Sequence, residues 1–168
     1  MTLRAVKLVS LKMDPVVNSP IIILKEIEGE QTLPIWIGLF EATAIATQIG
    51  EVKHSRPMTH DLLKNIIDKT DIKVNRIEIC DLRDNTYYTL IHLTSRGISL
   101  SIDSRPSDAI ALALRAKAPI FVADEVLRKS KQIEATSEEV RGGKSEKGKK
   151  WQDILEQLKP EDFGKYKM

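Results

Sequence analysis

The stretch DSRPSDAIALALRAKAPIFVAD, residues 103–124, decides the fold of this chain. It contains a polar turn, a run rich in alanine and leucine, and a short apolar segment, IFVA, that follows Pro119. Pro106 is placed where a helix begins, because proline at the first helical position loses no needed amide hydrogen and already has a helical backbone angle. The stretch therefore predicts the end of a strand, a helix that starts near residue 106, and a further short strand.

Apolar alternation on either side of this stretch predicts a sheet. Strands are expected at 3–11, 20–27, 32–38, 72–80, 86–93 and 98–103, and helices at 40–50 and 60–70. Pro34 predicts an edge or a bulge in the third strand, because proline cannot donate a ladder hydrogen bond. Strands dominate and helices separate only some of them, which favours an α+β class. We predict one compact domain with a mixed, largely antiparallel sheet and flanking helices.

The character of the chain changes after about residue 130. We predict a domain over residues 1–132, a basic flexible linker over 133–150, and a short amphipathic helix with a tail over 151–168. The segment RGGKSEKGKK at 141–150 is basic, rich in glycine and without apolar side chains, a composition typical of flexible linkers. The apolar face of the predicted helix in 151–168 could dock on this domain or on a partner. The basic segment is itself a candidate contact for nucleic acid.

Composition places the chain among globular proteins. Of its 168 residues, 42% are hydrophobic and 30% are charged, values that globular domains share. The net charge of +2 is too small to indicate nucleic-acid binding by itself. The single cysteine, Cys80, cannot form an internal disulfide, which fits a reducing compartment. With neither a signal peptide nor an apolar run of about 20 residues, we expect a cytoplasmic protein without a membrane span.

The helix entrance holds the residues most suited to chemistry, although no established catalytic or cofactor motif is present. Asp103 and Asp108 could hold a divalent cation such as Mg²⁺, with Glu41 as a further carboxylate. Arg105 could hold a phosphate, with Ser107 beside it. The same residue types also serve as helix caps, dipole partners and internal ion pairs. The residues alone leave both interpretations open.

Two further groups are candidates on the same terms. His60 and Asp61 have the side chains of a general base and of the acid that orients it. Adjacent residues on a helix point about 100° apart, however, so these two do not pair simply because they are neighbours. Arg56 is either an anion contact or a surface charge. Asp84 and Asn85 lie in a predicted hairpin turn, where such residues are ordinary turn formers.

Four segments together resemble the bifunctional nuclease domain family: LPIWIGLFEATAIA (33–46), RPMTHDLL (56–63), LRDNTYYTLIHL (82–93) and IDSRPSDAIALALRAKAPIFVAD (102–124). The last is close to a family signature, and the order and spacing match over roughly residues 3–130. The resemblance implies a compact α+β domain, usually oligomeric, with a proposed nuclease activity on DNA and RNA. We therefore expect a nucleic-acid substrate and a homo-oligomer, with a dimer as the simplest form.

The family's recurring polar positions match residues of this chain, and they define the expected site. The expected catalytic residues are His60, Asp84, Asp103 and Asp108; the expected substrate-binding residues are Arg56, Arg105, Ser107 and Asn85; the expected cation ligands are Asp103, Asp108 and Glu41. The alternative is a non-catalytic, oligomeric binding or regulatory module that recognises an anionic ligand or a protein partner. One open cleft lined by these side chains would favour catalysis, whereas their use in caps and internal ion pairs would favour binding.

Overall fold

A computed structural model of the protein describes residues 1–140, with side chains through Glu134. The strands are β1 (Leu3–Asp14), β2 (Ser19–Glu26), β3 (Thr32–Trp36), β4 (Ile72–Arg83), β5 (Thr86–Ser95), β6 (Ile98–Ser104) and β7 (Ile120–Ala123). The helices are α1 (Leu39–Ile49), α2 (Thr59–Lys69), α3 (Pro106–Ala116) and α4 (Asp124–Val140). The predicted α+β class is confirmed.

The strands form one mixed sheet in the order β3-β2-β1-β7-β4-β5-β6. Every neighbouring pair is antiparallel except β4 and β7, which run parallel. The short strand β7 joins two antiparallel meanders, because it pairs with β1 on one side and with β4 on the other. Pro34 lies on the edge strand β3, as predicted, and β6 forms the opposite edge.

Helix α3 lies at the centre of the helical layer. It packs against both α1 and α2, and it also contacts β4 and β5. The five residues Ala109–Ala113 are all buried, because small alanine side chains let neighbouring helices and strands approach closely on every side. The core joins this helix to aliphatic side chains of the sheet such as Ile77, Ile79 and Val122. The alanine-rich run that begins at Pro106 is therefore the centre of the packing.

The sheet is strongly coiled. Strands β3 and β5 are five positions apart in the sheet order, which in a flat sheet would separate them by about 24 Å at the usual spacing of about 4.8 Å. Yet the hydroxyl of Tyr87 on β5 donates to the carbonyl of Pro34 on β3 at 3.0 Å. The two regions therefore meet across a curled sheet, and α4, which contacts β3, β4 and β7, packs beside this junction.

Three local features differ from the sequence prediction. Strand β4 extends to Arg83, beyond the predicted strand end at residue 80, so the turn consists of Asp84 and Asn85, both in the left-handed region. Helix α2 begins at Thr59 with Met58 as its N-cap, because Asp61 accepts the free amide hydrogen of Met58 at 3.0 Å. Helix α4 continues past residue 132, where the sequence predicted the linker to start.

The rest of the predicted basic linker and the predicted helix at 151–158 lie outside the described residues. Within residues 1–140, the structure contains no helix with the length and apolar character that a membrane crossing requires.

Candidate active site at the ends of three helices

Helix α3 follows strand β6 directly along the chain. Arg105 is the N-cap in an extended conformation, and Pro106 is the first helical residue. No side chain caps this helix end, since the hydroxyl of Ser104 is turned towards the carbonyl of Arg105 at 2.9 Å. Neither Asp103 nor Ser104 therefore caps this helix. Asp108 lies in the first turn of α3, where the positive end of the helix dipole favours a carboxylate.

Asp108 contacts two side chains of the predicted site. Its Oδ1 lies 2.9 Å from Nε2 of His60 on α2, and its Oδ2 accepts a hydrogen bond from Nε of Arg105 at 2.6 Å. His60 thus pairs with a carboxylate on another helix, whereas its chain neighbour Asp61 pairs elsewhere. The sequence contained both members of this histidine–aspartate pair, but only the packing of α2 against α3 brings them together.

Glu41 completes the arrangement from α1. Its Oε1 accepts a hydrogen bond from a terminal nitrogen of Arg105 at 2.6 Å, so Arg105 bridges two carboxylates. Gly38 makes room for this contact, because a Cβ at that position would collide with Oε2 of Glu41. We call Glu41, His60, Arg105 and Asp108 the helix-end cluster.

The protonation of Asp108 follows from its neighbours. Partial burial by itself raises the pKa of Asp108, but hydrogen bonds from Arg105 and His60 outweigh this effect and hold its pKa below the usual value. The same contacts raise the pKa of Arg105, first through Asp108 and then through Glu41. Asp108 is therefore a stable anion near neutral pH, suited to orient His60 and to stabilise a positive charge on its ring.

One nitrogen of His60 remains available. Nε2 is held by Asp108, whereas Nδ1 makes no hydrogen bond with the described part of the chain and is not among the buried side-chain atoms without partners. Nδ1 therefore reaches solvent. A neutral imidazole fixed through one nitrogen by a carboxylate, with the other nitrogen accessible, has the arrangement of a general base.

Arg115 is a central residue that the sequence analysis missed. Its side chain is only 6% exposed, and its Nε donates to Oδ1 of Asp61 at 2.6 Å. It also donates to the carbonyl of Ala44 on α1 at 3.0 Å. Burial alone raises the pKa of Asp61, but the hydrogen bonds from Arg115 and Met58 lower it. Arg115 thus ties α1, α2 and α3 together beneath the helix-end cluster.

A sequence signal for Arg115 existed. It lies seven residues after Asp108 in an otherwise apolar helix, and residues two turns apart share one helix face. A lone arginine on the face that presents Asp108 therefore predicts a partner on the neighbouring helix.

The other predicted site residues lie apart from the helix-end cluster. Asp103 pairs with Leu90 on β5, so it projects from the sheet face opposite to that of the buried Thr89 and Ile91. Asp84 is exposed in the β4–β5 turn, and neither it nor Asp103 makes an ion pair in the described part of the chain.

The three remaining predicted substrate-binding residues also differ in placement. Ser107 is buried, which removes its hydroxyl from the surface. Arg56 is exposed just before α2 and makes no ion pair with the described residues. Asn85 is exposed in the β4–β5 turn. Only Arg105 of the predicted substrate contacts lies in the helix-end cluster.

The expected cation ligands do not form one ligand set. Glu41 and Asp108 face the same guanidinium, and Asp103 belongs to the other face of the sheet. Within residues 1–134, no group of three or more His, Cys, Asp or Glu side chains is arranged to hold a metal ion. The residues present therefore do not fit a protein-bound divalent cation, and no step below is derived through one.

The fold and the helix-end cluster together define a class: a small α+β domain whose sheet packs against an alanine-rich helix, with a histidine–aspartate pair at that helix's first turn. Residues 22–135 match the bifunctional nuclease domain. The chain belongs to the bifunctional nuclease domain family, which confirms the resemblance seen in the sequence.

Individual relatives extend this assignment. An uncharacterized protein of Mycobacterium tuberculosis (strain ATCC 25618 / H37Rv) is 34% identical over 161 residues, which cover 94% of this chain and 96% of the relative. Bifunctional nuclease 2 of Oryza sativa subsp. japonica is 34% identical over 107 residues, and bifunctional nuclease 1 of Arabidopsis thaliana is 30% identical over 107 residues. Each plant match covers 61% of this chain but only 33% of the plant protein.

Proposed function

We propose that this protein is a nuclease that hydrolyses phosphodiester bonds of DNA and RNA. The observation that carries the proposal is the pair formed by His60 and Asp108, with Nδ1 of His60 open to solvent. The plant relatives named as bifunctional nucleases support the reaction class. The activity of the longer plant proteins is transferred here only as part of this proposal.

In the proposed mechanism, Nδ1 of His60 takes a proton from water as the water oxygen attacks phosphorus. A new P–O bond forms, the bond to the leaving nucleotide oxygen breaks, and the imidazolium returns the proton to that oxygen. Asp108 holds the ring through Nε2 and stabilises the positive charge that develops on it. The geometry of the pair thus provides both orientation and electrostatic support.

Arg105 is the phosphate contact we favour, although the two carboxylates already occupy part of its guanidinium. Its side chain is 63% exposed, and its second terminal nitrogen makes no hydrogen bond with the described residues. Glu41 and Asp108 fix the plane of the guanidinium, so the remaining N–H groups point in set directions. Arg56, exposed near the start of α2, is the second candidate contact.

The decisive experiment is single-turnover cleavage of labelled single-stranded DNA and RNA by wild type and by Asp108→Asn. We expect a large loss in the variant, because a neutral amide cannot stabilise the imidazolium. Asp103→Asn is the matched control and should cleave at the wild-type rate, because Asp103 lies on the other face of the sheet. Equal rates for wild type and Asp108→Asn, or activity that disappears on further purification, would exclude the assignment.

A non-catalytic binding module is the second candidate. Internal ion pairs favour it, because Glu41, Arg105 and Asp108 satisfy one another's charges without a substrate. In that case the protein would bind an anionic ligand or a protein partner, and Asp108→Asn would alter binding without any cleavage to lose. Measured binding of labelled DNA in the absence of cleavage by the wild type would establish this alternative.

We also propose that the protein forms a homodimer through its β6 edge. Strand β6 has an unpaired backbone edge, and Ile98, Leu100 and Ile102 are exposed on one face of it. Antiparallel pairing of β6 with its copy would cover the exposed edge and bring the apolar side chains of the two β6 strands together.

The oligomeric state tests this surface directly. Sedimentation analysis should give a dimer for the wild type and a monomer for Leu100→Lys, because a charge in the centre of an apolar interface is costly to bury. Val16→Lys, which replaces an exposed apolar residue in the β1–β2 turn, should remain dimeric. A monomeric wild type would contradict the proposal. The cytoplasmic location stays a prediction from the sequence.

A further inference from the structure

A second site lies where the coiled sheet brings β3 close to the β4–β5 turn. A pocket of about 350 Å³ opens there, with Val17, Trp36, Leu82, Asn85, Tyr87 and Ser130 in its wall. This volume lies at the lower end of the range of ligand pockets, which starts near about 300 Å³, and it is large enough for a single ring system with a small substituent. None of these residues belongs to the helix-end cluster.

The aromatic walls of the pocket are held in place. Nε1 of Trp36 donates to Oδ2 of Asp14 at 2.7 Å, and the indole remains 41% exposed. The hydroxyl of Tyr87 donates to the carbonyl of Pro34 at 3.0 Å and lies 3.3 Å from Oγ of Ser130. Because these bonds fix the rings before any ligand arrives, little side-chain entropy is lost when a flat molecule stacks on them.

Asn85 supplies a polar group with unused hydrogen-bonding capacity. It stands at the tip of the turn with φ of 58°, and its side-chain amide makes no hydrogen bond with the part of the chain that the structure describes. An asparagine amide offers a donor and an acceptor side by side. This pair matches the adjacent acceptor and donor on the edge of a nucleobase, most directly those of adenine.

We infer that this pocket binds a nucleobase, stacked on Trp36 and hydrogen-bonded along one edge by Asn85. The apolar walls favour a flat ring, and the amide selects rings that carry neighbouring donor and acceptor atoms. The base can be presented by a free nucleoside, a mononucleotide or a single-stranded nucleic acid. The site is independent of the proposed cleavage, since it shares no residue with His60 and its partners.

Fluorescence of Trp36 reports on the pocket. The chain has two tryptophans, so the full-length Trp151→Phe protein leaves Trp36 as the only one. We expect adenosine, adenosine monophosphate and a short oligodeoxyadenylate each to quench this emission in a saturable manner, because stacked bases quench indole. Equal affinity for adenosine and the monophosphate would assign recognition to the base alone, and tighter binding of the oligomer would identify a strand as the ligand.

Asn85→Gly in the Trp151→Phe background tests the polar contact. Glycine accepts the positive φ of this position, so the turn is preserved while the amide is removed. The dissociation constant should rise about tenfold, the size expected for loss of a two-point contact to a base edge. Asn18→Gly is the matched control, because Asn18 is also an exposed turn asparagine with positive φ, 52°, and its affinity should match that of the parent.

Three results would overturn the inference: no saturable quenching by any of the three ligands, equal affinities for the Asn85→Gly and Asn18→Gly proteins, or shielding of Trp36 from acrylamide before ligand is added. The last would mean that another segment of the chain fills the pocket. Because cleavage plays no part in the readout, the nuclease proposal can fail while the pocket stands, and the reverse also holds.

Discussion

Two histidines of this protein lie 2.9 Å from a carboxylate oxygen, His60 beside Asp108 and His92 beside Glu78. His92 is on the sheet, where Nδ1 lies 3.0 Å from the hydroxyl of Ser101 and Nε2 is buried against Glu78. The contact of Nε2 with Glu78 has ion-pair distance but not the angle of a hydrogen bond. Both nitrogens of His92 are therefore enclosed by neighbouring strands, whereas His60 keeps one nitrogen in solvent.

The difference shows that a histidine–carboxylate distance does not by itself indicate chemistry. Glu78 has a side chain that is 7% exposed and also lies 3.3 Å from Arg76, so its charge is used within the sheet. Asp108 is more exposed and sits at a helix end beside an accessible arginine. The pair on the sheet is therefore enclosed within the structure, and the proposed catalytic role falls to the pair between the helices.

Replacing each histidine with glutamine tests this comparison, and we expect it to produce the largest change in cleavage rate. His60→Gln should lower the single-turnover cleavage rate roughly 100- to 10,000-fold, the usual contribution of a general base. His92→Gln should cleave at the wild-type rate, because that ring has no nitrogen available to a substrate. Equal losses in both variants would show that the two pairs are not functionally distinct.

Arg115→Met should produce the largest loss of stability. The substitution removes the buried guanidinium that pairs with Asp61 and leaves it only the amide of Met58, and breaking such a pair costs about 3 kcal/mol in the free energy of unfolding. Arg105→Met is the control: this side chain is 63% exposed, and exposed pairs contribute less than about 1 kcal/mol. Urea unfolding measures both, and similar losses would contradict the anchoring role of Arg115.

Acid should destabilise the protein through Asp61 and Asp108. Their pKa values are lowered in the folded state, so their contribution is complete above the ordinary aspartate pKa of about 3.9 and is lost as the pH falls through the folded pKa. The free energy of unfolding, measured as the pH is lowered from about 6, should therefore decline less steeply for Asp61→Asn and Asp108→Asn than for wild type. Curves of the same steepness for the two variants and the wild type would contradict this account.

Gly38→Ala should have the smallest effect. The added Cβ would displace the carboxylate of Glu41 from Arg105, and loss of this exposed contact costs less than about 1 kcal/mol. Calorimetry on Gly38→Ala, Glu41→Gln and the double variant should show non-additive losses, because both changes remove one interaction. Additive losses would mean that Gly38 acts independently of Glu41.

Local signals predicted most of the fold. Pro106 and the alanine-rich run gave the start and the burial of α3, and Pro34 correctly predicted an edge strand. Helix α4 was not predicted, because its sequence is polar and the buried apolar side chains among its described residues, Val126 and Leu127, lie near its start. Its length depends on packing beside β3 and β4 rather than on a regular apolar repeat.

The site was predictable in its members but not in its pairs. His60 and Asp108 are 48 residues apart, and Glu41 and Arg105 are 64 apart, so neither pairing follows from a local repeat. Asp103 and Asp108 looked equivalent because both flank the same turn, yet strand alternation sends Asp103 to the other face of the sheet.

The sequence by itself determined the α+β class, the central helix at Pro106 and membership of the bifunctional nuclease domain family, because periodicity and local motifs act over a few residues. The tertiary structure decided that Asp108 lies beside His60, that Arg115 joins three helices, and that Trp36 and Asn85 line one pocket beside the coiled sheet. Contacts between distant segments depend on how the elements pack, and packing is a property of the whole core.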